Sequence, residues 1–300
     1  MNKVKYLLGP MRLPFLILTP ACVFEGFGTA LWKTGHVNLF YFLLALIGGL
    51  AAHISVNAFN EYFDFKSGLD FRTQRTPFSG GSGTLPQRPE LAKHALALAI
   101  LAAVIDLLIG LYFLWVRGWG IVPLGLLGLI VVVAYTPWIT RSPLVCLIAP
   151  GLGFGTLMVM GTHFVLTGEY SWAAFWASLV PFFLVSDLLL LNQFPDVEAD
   201  RTAGRLHYPM VLGRKKSSVI YAAFLFLAYA SLVMAVVLGE LPWLSLLGLL
   251  TIPIALQTAS GVRKYAEDLE HLMPYLAKNV LINISTPSLM AIGLILAHFV

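Results

Sequence analysis

The stretch LFYFLLALIGGLAAHISVNAFNEYFDFKSGLD (residues 39–70) stays apolar for the length a bilayer demands, then breaks into amides and carboxylates. A membrane core takes roughly 17–25 apolar residues per helix. The apolar run is continuous rather than alternating, which predicts a helix and not a barrel strand. The same pattern recurs along the chain. Apolar segments lie near 13–33, 38–63, 94–115, 119–138, 143–166, 171–194, 217–238, 241–259 and 275–298. The expected fold is all-α: a multi-span membrane protein of nine transmembrane helices, forming a single transmembrane domain over 1–300.

Composition agrees with lipid as the solvent. Of the 300 residues 58 % are hydrophobic and only 11 % charged, against about 25 % charged in soluble domains. A soluble fold of this length has too much surface to hide that much apolar matter. The net charge of +4 is loop chemistry at a membrane surface and gives no basis for a nucleic-acid partner. Cys22 and Cys146 both sit inside apolar runs and are expected as small buried hydrophobes, not as a disulfide. The N-terminus is basic and then apolar, like a signal peptide, but its apolar part is long enough to span. It is expected to stay as the first helix.

Orientation follows from the basic residues. With the N-terminus inside, every Lys and Arg of the 19 except Lys33 and Arg117 falls on the cytoplasmic side. The expectation is an integral protein of the cell's inner or plasma membrane, N-terminus cytoplasmic and C-terminus outside, with lipid as its surroundings. The longest connections, near 65–93 and 195–216, are then both cytoplasmic. Loops of that length are often functional.

Both loops begin in acids. The second apolar segment ends with Asn57, Asn60 and Asp64, and Asp70 follows. The sixth ends in LLLLNQFPDVEADRTAGR, where Asn192, Asp196 and Asp200 are spaced by four. Residues four apart share a helix face, although Pro195 is positioned to kink this one. Facing acid clusters repel unless a cation joins them. Hard oxygen donors with no His or Cys among them suit Mg²⁺, which prefers to share its ligands with a phosphate. Arg72, Arg75, Arg201 and Arg205 flank the clusters. The physical expectation is an acid–metal–diphosphate–arginine sandwich.

At this point the sequence resembles a known family. NEYFDFKSGLD with DVEADRTAGR is similar to the two aspartate-rich motifs of the UbiA superfamily of intramembrane prenyltransferases. MRLPFLILTP resembles the start of the family's first helix, with Arg12 at its basic position. The segment from Tyr135 to Gly168 resembles its central tyrosine-containing loop and the next helix. LLLLNQFPDVEADRTAGRLHYPMVLGR is closest to the 1,4-dihydroxy-2-naphthoate branch, which serves menaquinone biosynthesis. Two departures stand out. Asp70 lies six residues after Asp64, as in that branch, and Pro195 replaces the usual basic residue before Asp196.

The resemblance implies a UbiA-type helical bundle with a cytoplasmic-side active site. It implies Mg²⁺ held by Asn60, Asp64, Asn192, Asp196 and Asp200, with Asp64, Asp70, Asp196 and Asp200 as catalytic acids. The donor would be a polyprenyl diphosphate, bound by Arg12, Lys66, Arg72, Arg75, Tyr135, Arg141, Arg201 and Arg205. Lys66 and Arg141 are equally well read as membrane anchors, and Asp70 as a metal ligand, a base or a turn cap. Ionisation would leave an allylic cation, which Phe59, Tyr62, Phe63, Tyr135, Trp138 and Phe194 lie at the right depth to face. An aromatic small molecule would then attack it: 1,4-dihydroxy-2-naphthoate first, with homogentisate, 4-hydroxybenzoate, a chlorin or a prenylglyceryl phosphate as alternatives. A secondary transporter is the competing class. Thr76–Pro86, rich in Gly and Ser, suits a mobile lid. As a phosphate loop it is weak, because it lacks the Gly-Lys-Ser/Thr ending and is not expected to open a helix. Asp187, nine residues before Asp196, should face away from that acid and is expected in a structural pairing. His53 should share the Asn60 face.

Overall fold

The computed structural model describes residues 3–300, and the regular elements among them are helical. Nine long helices stand where hydropathy places them: α1 (Leu18–Thr34), α2 (Leu39–Ser67), α3 (Ala92–Arg117), α4 (Val122–Ala134), α5 (Pro143–Thr167), α6 (Trp172–Thr202), α7 (Arg214–Val237), α8 (Ile252–Lys264) and α9 (Leu269–Ala297). Among the described residues, eight are long and apolar enough to cross a membrane once their 3-10 extensions are included. The fourth, Trp119–Ala134 with its leading turn, is shorter. The nine expected segments are thus eight helices of membrane length and one short one.

Local chemistry sets the ends. Asn38, Ser171 and Asp268 each accept a hydrogen bond from a first-turn amide of α2, α6 and α9. Gly68 closes α2 with φ +78°, which lets the chain turn at once into Asp70. Trp115, Trp119, Trp172 and Trp243 are 67–82 % exposed at the helix ends joined by short links, as an interfacial aromatic belt requires. The acidic segments lie at the opposite ends of α2 and α6.

Packing makes α6 the centre. It contacts α1, α5, α7 and α9, and 67 % of its apolar window is buried, against 17 % for α3. The first long helix also packs on the last. Close approach of α5 to α6 depends on small residues: a Cβ on Gly151 would sit 2.0 Å from the Phe182 carbonyl, and one on Gly155 2.4 Å from the Phe182 nitrogen. Directly after Gly151 α5 widens into a π-helical stretch, Leu152–Val159, which includes Gly155 and follows Pro150. The proline lacks an N–H, which loosens the ladder there.

Gly155→Leu should separate α5 from α6 and cost more than about 2 kcal/mol. Gly110→Leu on α3 meets nothing within 4 Å and should cost under about 1 kcal/mol. Thermal midpoints of the two variants in detergent check this; equal midpoints would contradict the close crossing.

Candidate active site

Arg205 stands between the two acid clusters. Helix α6 runs unbroken through Pro181 and Pro195, because its neighbours brace it where the prolines remove hydrogen bonds. Asn192, Asp196 and Asp200 therefore all reach one cavity, and the kink expected at Pro195 does not turn Asp200 aside. After Thr202 the chain reverses at Gly204, φ +70°, and Leu206 N–H is pinned to the Thr140 carbonyl at 2.8 Å. This places the Arg205 guanidinium so that Nη1 donates to Asp200 Oδ1 at 3.1 Å while Nη2 pairs with Asp64 Oδ1 of α2. His207 Nε2 lies 3.1 Å from the other Asp200 oxygen. Burial alone would lower the Arg205 pKa, but the two carboxylates raise it further above its ordinary value.

A second arginine braces the α2 cluster. Arg12 donates through Nε to Glu61 Oε1 and through Nη2 to Asn60 Oδ1, both at 2.8 Å. Asn60 in turn donates to Thr136 at 3.2 Å, and Asn57 to the Met11 carbonyl at 3.1 Å. Arg12 takes a left-handed backbone, φ 52° and ψ 53°, uncommon for a side-chain-bearing residue. Asp70 is buried, and burial together with Glu61 and Asp64 pushes its carboxyl up to about 7.

These groups line one end of a cavity of about 380 Å³. Its other limb is mainly apolar, walled by Gly48 of α2, Ile109 and Phe113 of α3, Gly125 and Gly128 of α4, and Leu157 of α5, with the Asp106 carboxylate of α3 beside Gly48. Gly48 lies sixteen residues from Asp64, about 24 Å along a helix. Phe78, Ser79, Gly80 and Gly81 from the glycine-rich segment cover the polar end. That segment does open a helix, the single turn Thr84–Gln87, contrary to the expectation above.

Of the residues expected at the site, Arg12, Asn60, Asp64, Asp70, Tyr135, Asn192, Asp196, Asp200 and Arg205 line the cavity. Lys66, Arg72, Arg75, Arg141 and Arg201 do not line it and are exposed. Arg201 pairs with Glu198 at 3.7 Å on the surface, and Lys66 sits over the Tyr62 ring. The aromatic set needs correction. Only Tyr135 of the six lines the cavity; Phe59 and Phe63 stack on each other, Trp138 is 68 % exposed and Phe194 is fully in the core. Phe15, Phe78, Phe113 and Phe154 line it instead. His53 is on the expected face and pairs with Thr19 at 2.9 Å. Asp187 faces away into the core, as expected, but its carboxylate has no hydrogen-bond partner there. Sequence reasoning missed Glu61, although it lies inside the first motif, and His207, two residues beyond the second.

The donor set accommodates a hard divalent cation. Asp70 Oδ2, Asn192 Oδ1 and Asp196 Oδ1 are buried, line the cavity, and have no hydrogen-bond partner. Among the described residues no three His, Cys, Asp or Glu groups form a closed metal cage. An open set of oxygen donors is what Mg²⁺ takes when a phosphate completes its shell.

Residues 19–278 match the family model of the UbiA prenyltransferase family. The chain belongs to that family. It is 27 % identical to the 1,4-dihydroxy-2-naphthoate octaprenyltransferase of Bacillus subtilis (strain 168), over 88 % of this chain and 84 % of that one. The fold is similar to that of a UbiA homolog from Aeropyrum pernix K1, with TM-score 0.66 and 18 % identity over 94 % of this chain and 97 % of that one. It is also similar to a UbiA homolog from Archaeoglobus fulgidus whose structure was solved bound to DMAPP and Mg²⁺, with TM-score 0.61 and 14 % identity over 97 % and 99 % of the two chains. This UbiA-family chain is an integral membrane protein and a prenyltransferase.

Arg205→Ala would leave Asp64 and Asp200 facing each other unbridged, and should cost about 3–5 kcal/mol in the metal-free protein. Asp70 gives a pH signature. Its folded pKa lies above the ordinary aspartate value of about 3.9, so the neutral form stabilises the fold. That contribution is complete below about pH 4 and is lost as pH rises through about 7. Asp70→Asn, which cannot ionise, should raise the midpoint in EDTA at pH 8 and leave it unchanged at pH 4. An equal effect at both pH values would contradict the raised carboxyl.

Proposed function

We propose that this UbiA-family prenyltransferase transfers a polyprenyl group from its diphosphate to 1,4-dihydroxy-2-naphthoate, in a site formed by the ends of α2 and α6. The carrying observation is one cavity with unpartnered buried oxygens at one end and a long apolar limb at the other. The relative from Bacillus subtilis supports the naphthoate acceptor. The Archaeoglobus homolog bound to DMAPP and Mg²⁺ supports the donor class and the metal.

The residues divide the work. The apolar limb holds the prenyl tail, which gains about 0.8 kcal/mol for each CH₂ taken out of water. Asn60, Asp64, Asn192, Asp196 and Asp200 would hold Mg²⁺, with Asp70 facing the same space. When bound, the cation neutralises charge on the departing diphosphate. Arg12 and Arg205 add fixed positive charge where that leaving group develops its own. The bond between the allylic carbon and the bridging oxygen breaks, and its electron pair leaves with the diphosphate. Tyr135, Phe78 and Phe154 line the cavity, and a ring face there would stabilise the resulting cation. The acceptor's ring carbon forms the new bond, and loss of its carboxylate as CO₂ restores the ring. The glycine-rich segment over the polar end keeps water away from the cation. The bias of basic residues supports a cytoplasmic N-terminus and a cytoplasmic acid end, and the chain acts as one domain.

Purified protein incubated with a polyprenyl diphosphate, Mg²⁺ and a panel of aromatic acceptors should yield prenylated, decarboxylated naphthoate by mass spectrometry. Product from homogentisate or 4-hydroxybenzoate alone would reassign the acceptor. Asp64→Asn and Asp196→Asn should each reduce turnover at least about 10²-fold while the protein still inserts in membranes. EDTA should abolish turnover and excess Mg²⁺ restore it. Turnover indifferent to EDTA would remove the metal-assisted mechanism.

A further inference from the structure

One buried carboxylate ties three separate parts of the chain together. Glu61, on the face of α2 that meets the loops, has no exposed surface. Its Oε1 accepts from Arg12 Nε at 2.8 Å and from the Ser82 backbone N–H at 2.6 Å. Its Oε2 accepts from the Ser82 hydroxyl at 2.7 Å. A single side chain therefore holds the arginine that precedes α1 and the glycine-rich segment that covers the cavity. Asn60, next to it, shares the same guanidinium.

The covering segment is shaped to reach that carboxylate. Gly81 adopts φ +72°, and a Cβ there would lie 3.0 Å from Glu61 Oε1 and 3.4 Å from Asp70 Oδ1. Only a glycine approaches so closely in that conformation. The Ser82 hydroxyl accepts the Thr84 N–H at 3.1 Å and starts the single helical turn that follows. A Cβ on Gly9 would lie 1.9 Å from Thr84 Oγ1, so the turn before Arg12 abuts the same segment. Phe78 to Gly81 close the polar end of the cavity.

We propose that Glu61 is a positioning residue: a latch that holds the Thr76–Pro86 segment closed over the polar end of the cavity and fixes Arg12 beneath it. The arrangement makes closure and arginine placement one event. When the segment lifts, Glu61 gives up the Ser82 donors and keeps only Arg12. The guanidinium is then braced by α2 alone. The consequence for donor binding rests on the prenyl-transfer reading; the latch itself does not.

Trypsin reports the latch directly. Arg72 and Arg75 are exposed at the root of the segment, and Arg263 and Lys264 are exposed at the far end of α8. In Glu61→Gln and Gly81→Ala, cleavage after Arg72 and Arg75 should rise about ten-fold, with cleavage at Arg263 and Lys264 unchanged. Ser82→Ala, which keeps the Glu61–Arg12 pair, should show the same local rise at smaller size and covers the case that Glu61→Gln does not fold. With polyprenyl diphosphate as substrate, Glu61→Gln should raise KM about ten-fold and change kcat less than about three-fold. Cleavage unchanged in Ser82→Ala and Gly81→Ala, or raised equally at Arg263 and Lys264, would overturn the latch. So would a fall in kcat at constant KM. A wild-type protein that transfers no prenyl group would refute the proposed function, while the trypsin comparison would still decide the latch.

Discussion

Placing two sets of carboxylates at the ends of neighbouring membrane helices is the constraint on which the site depends. Unpaired charge near a low-dielectric region is costly, and like charges facing each other compound that cost. Arg205 meets the constraint by pairing with Asp64 of α2 and Asp200 of α6 at once. Its position follows from backbone geometry: the reversal at Gly204 and the pinning of Leu206 to Thr140. The bridge leaves Asp196, Asn192 and Asp70 with free oxygens toward the cavity. The fold thus satisfies just enough of the acid clusters to hold them together, and keeps the rest open to a cation and its phosphate.

The same cavity joins two solvents. Its polar end is built from loop and helix-end residues whose charges are paired across the sequence. Its apolar limb lies between α2, α3, α4 and α5, where glycines leave space instead of filling it. The π-helical stretch of α5 borders this limb through Gly153, Phe154 and Leu157. A loosened backbone there widens the gap between helices without opening the bundle. Helix α6, the most enclosed, carries Asn192, Asp196 and Asp200 at its end and gives them a fixed platform.

Much of this was legible in the sequence, for physical reasons. Bilayer thickness forces long apolar runs, so the helices show in hydropathy; α4 is the one whose length falls short. The four-residue spacing of Asn60–Asp64 and Asn192–Asp196–Asp200 placed each set on one face, and those faces do meet. Spacing says nothing about partners far away in the chain. Nothing near Glu61 signals Arg12 and Ser82, and nothing at His207 beyond its nearness to Asp200 signals the contact. Charge near a motif was a poor guide: Arg205 enters the site because the chain reverses, whereas Arg72, Arg75 and Arg201 point to solvent. Aromatic depth misled for a similar reason. Phe59 and Phe63 are at the right height on the wrong side of α2, and the rings that line the cavity come from α3, α5 and the loops.

The most direct measurement is anomalous scattering from crystals of the protein grown with Mn²⁺ and a prenyl thiolodiphosphate, which resists ionisation. The expected result is metal density bridging the diphosphate to the α2 and α6 acids, with Arg205 turned from Asp64 toward the phosphates. Donor bound with no metal between those helices, or metal held by only one of them with Arg205 still bridging both, would contradict the shared site.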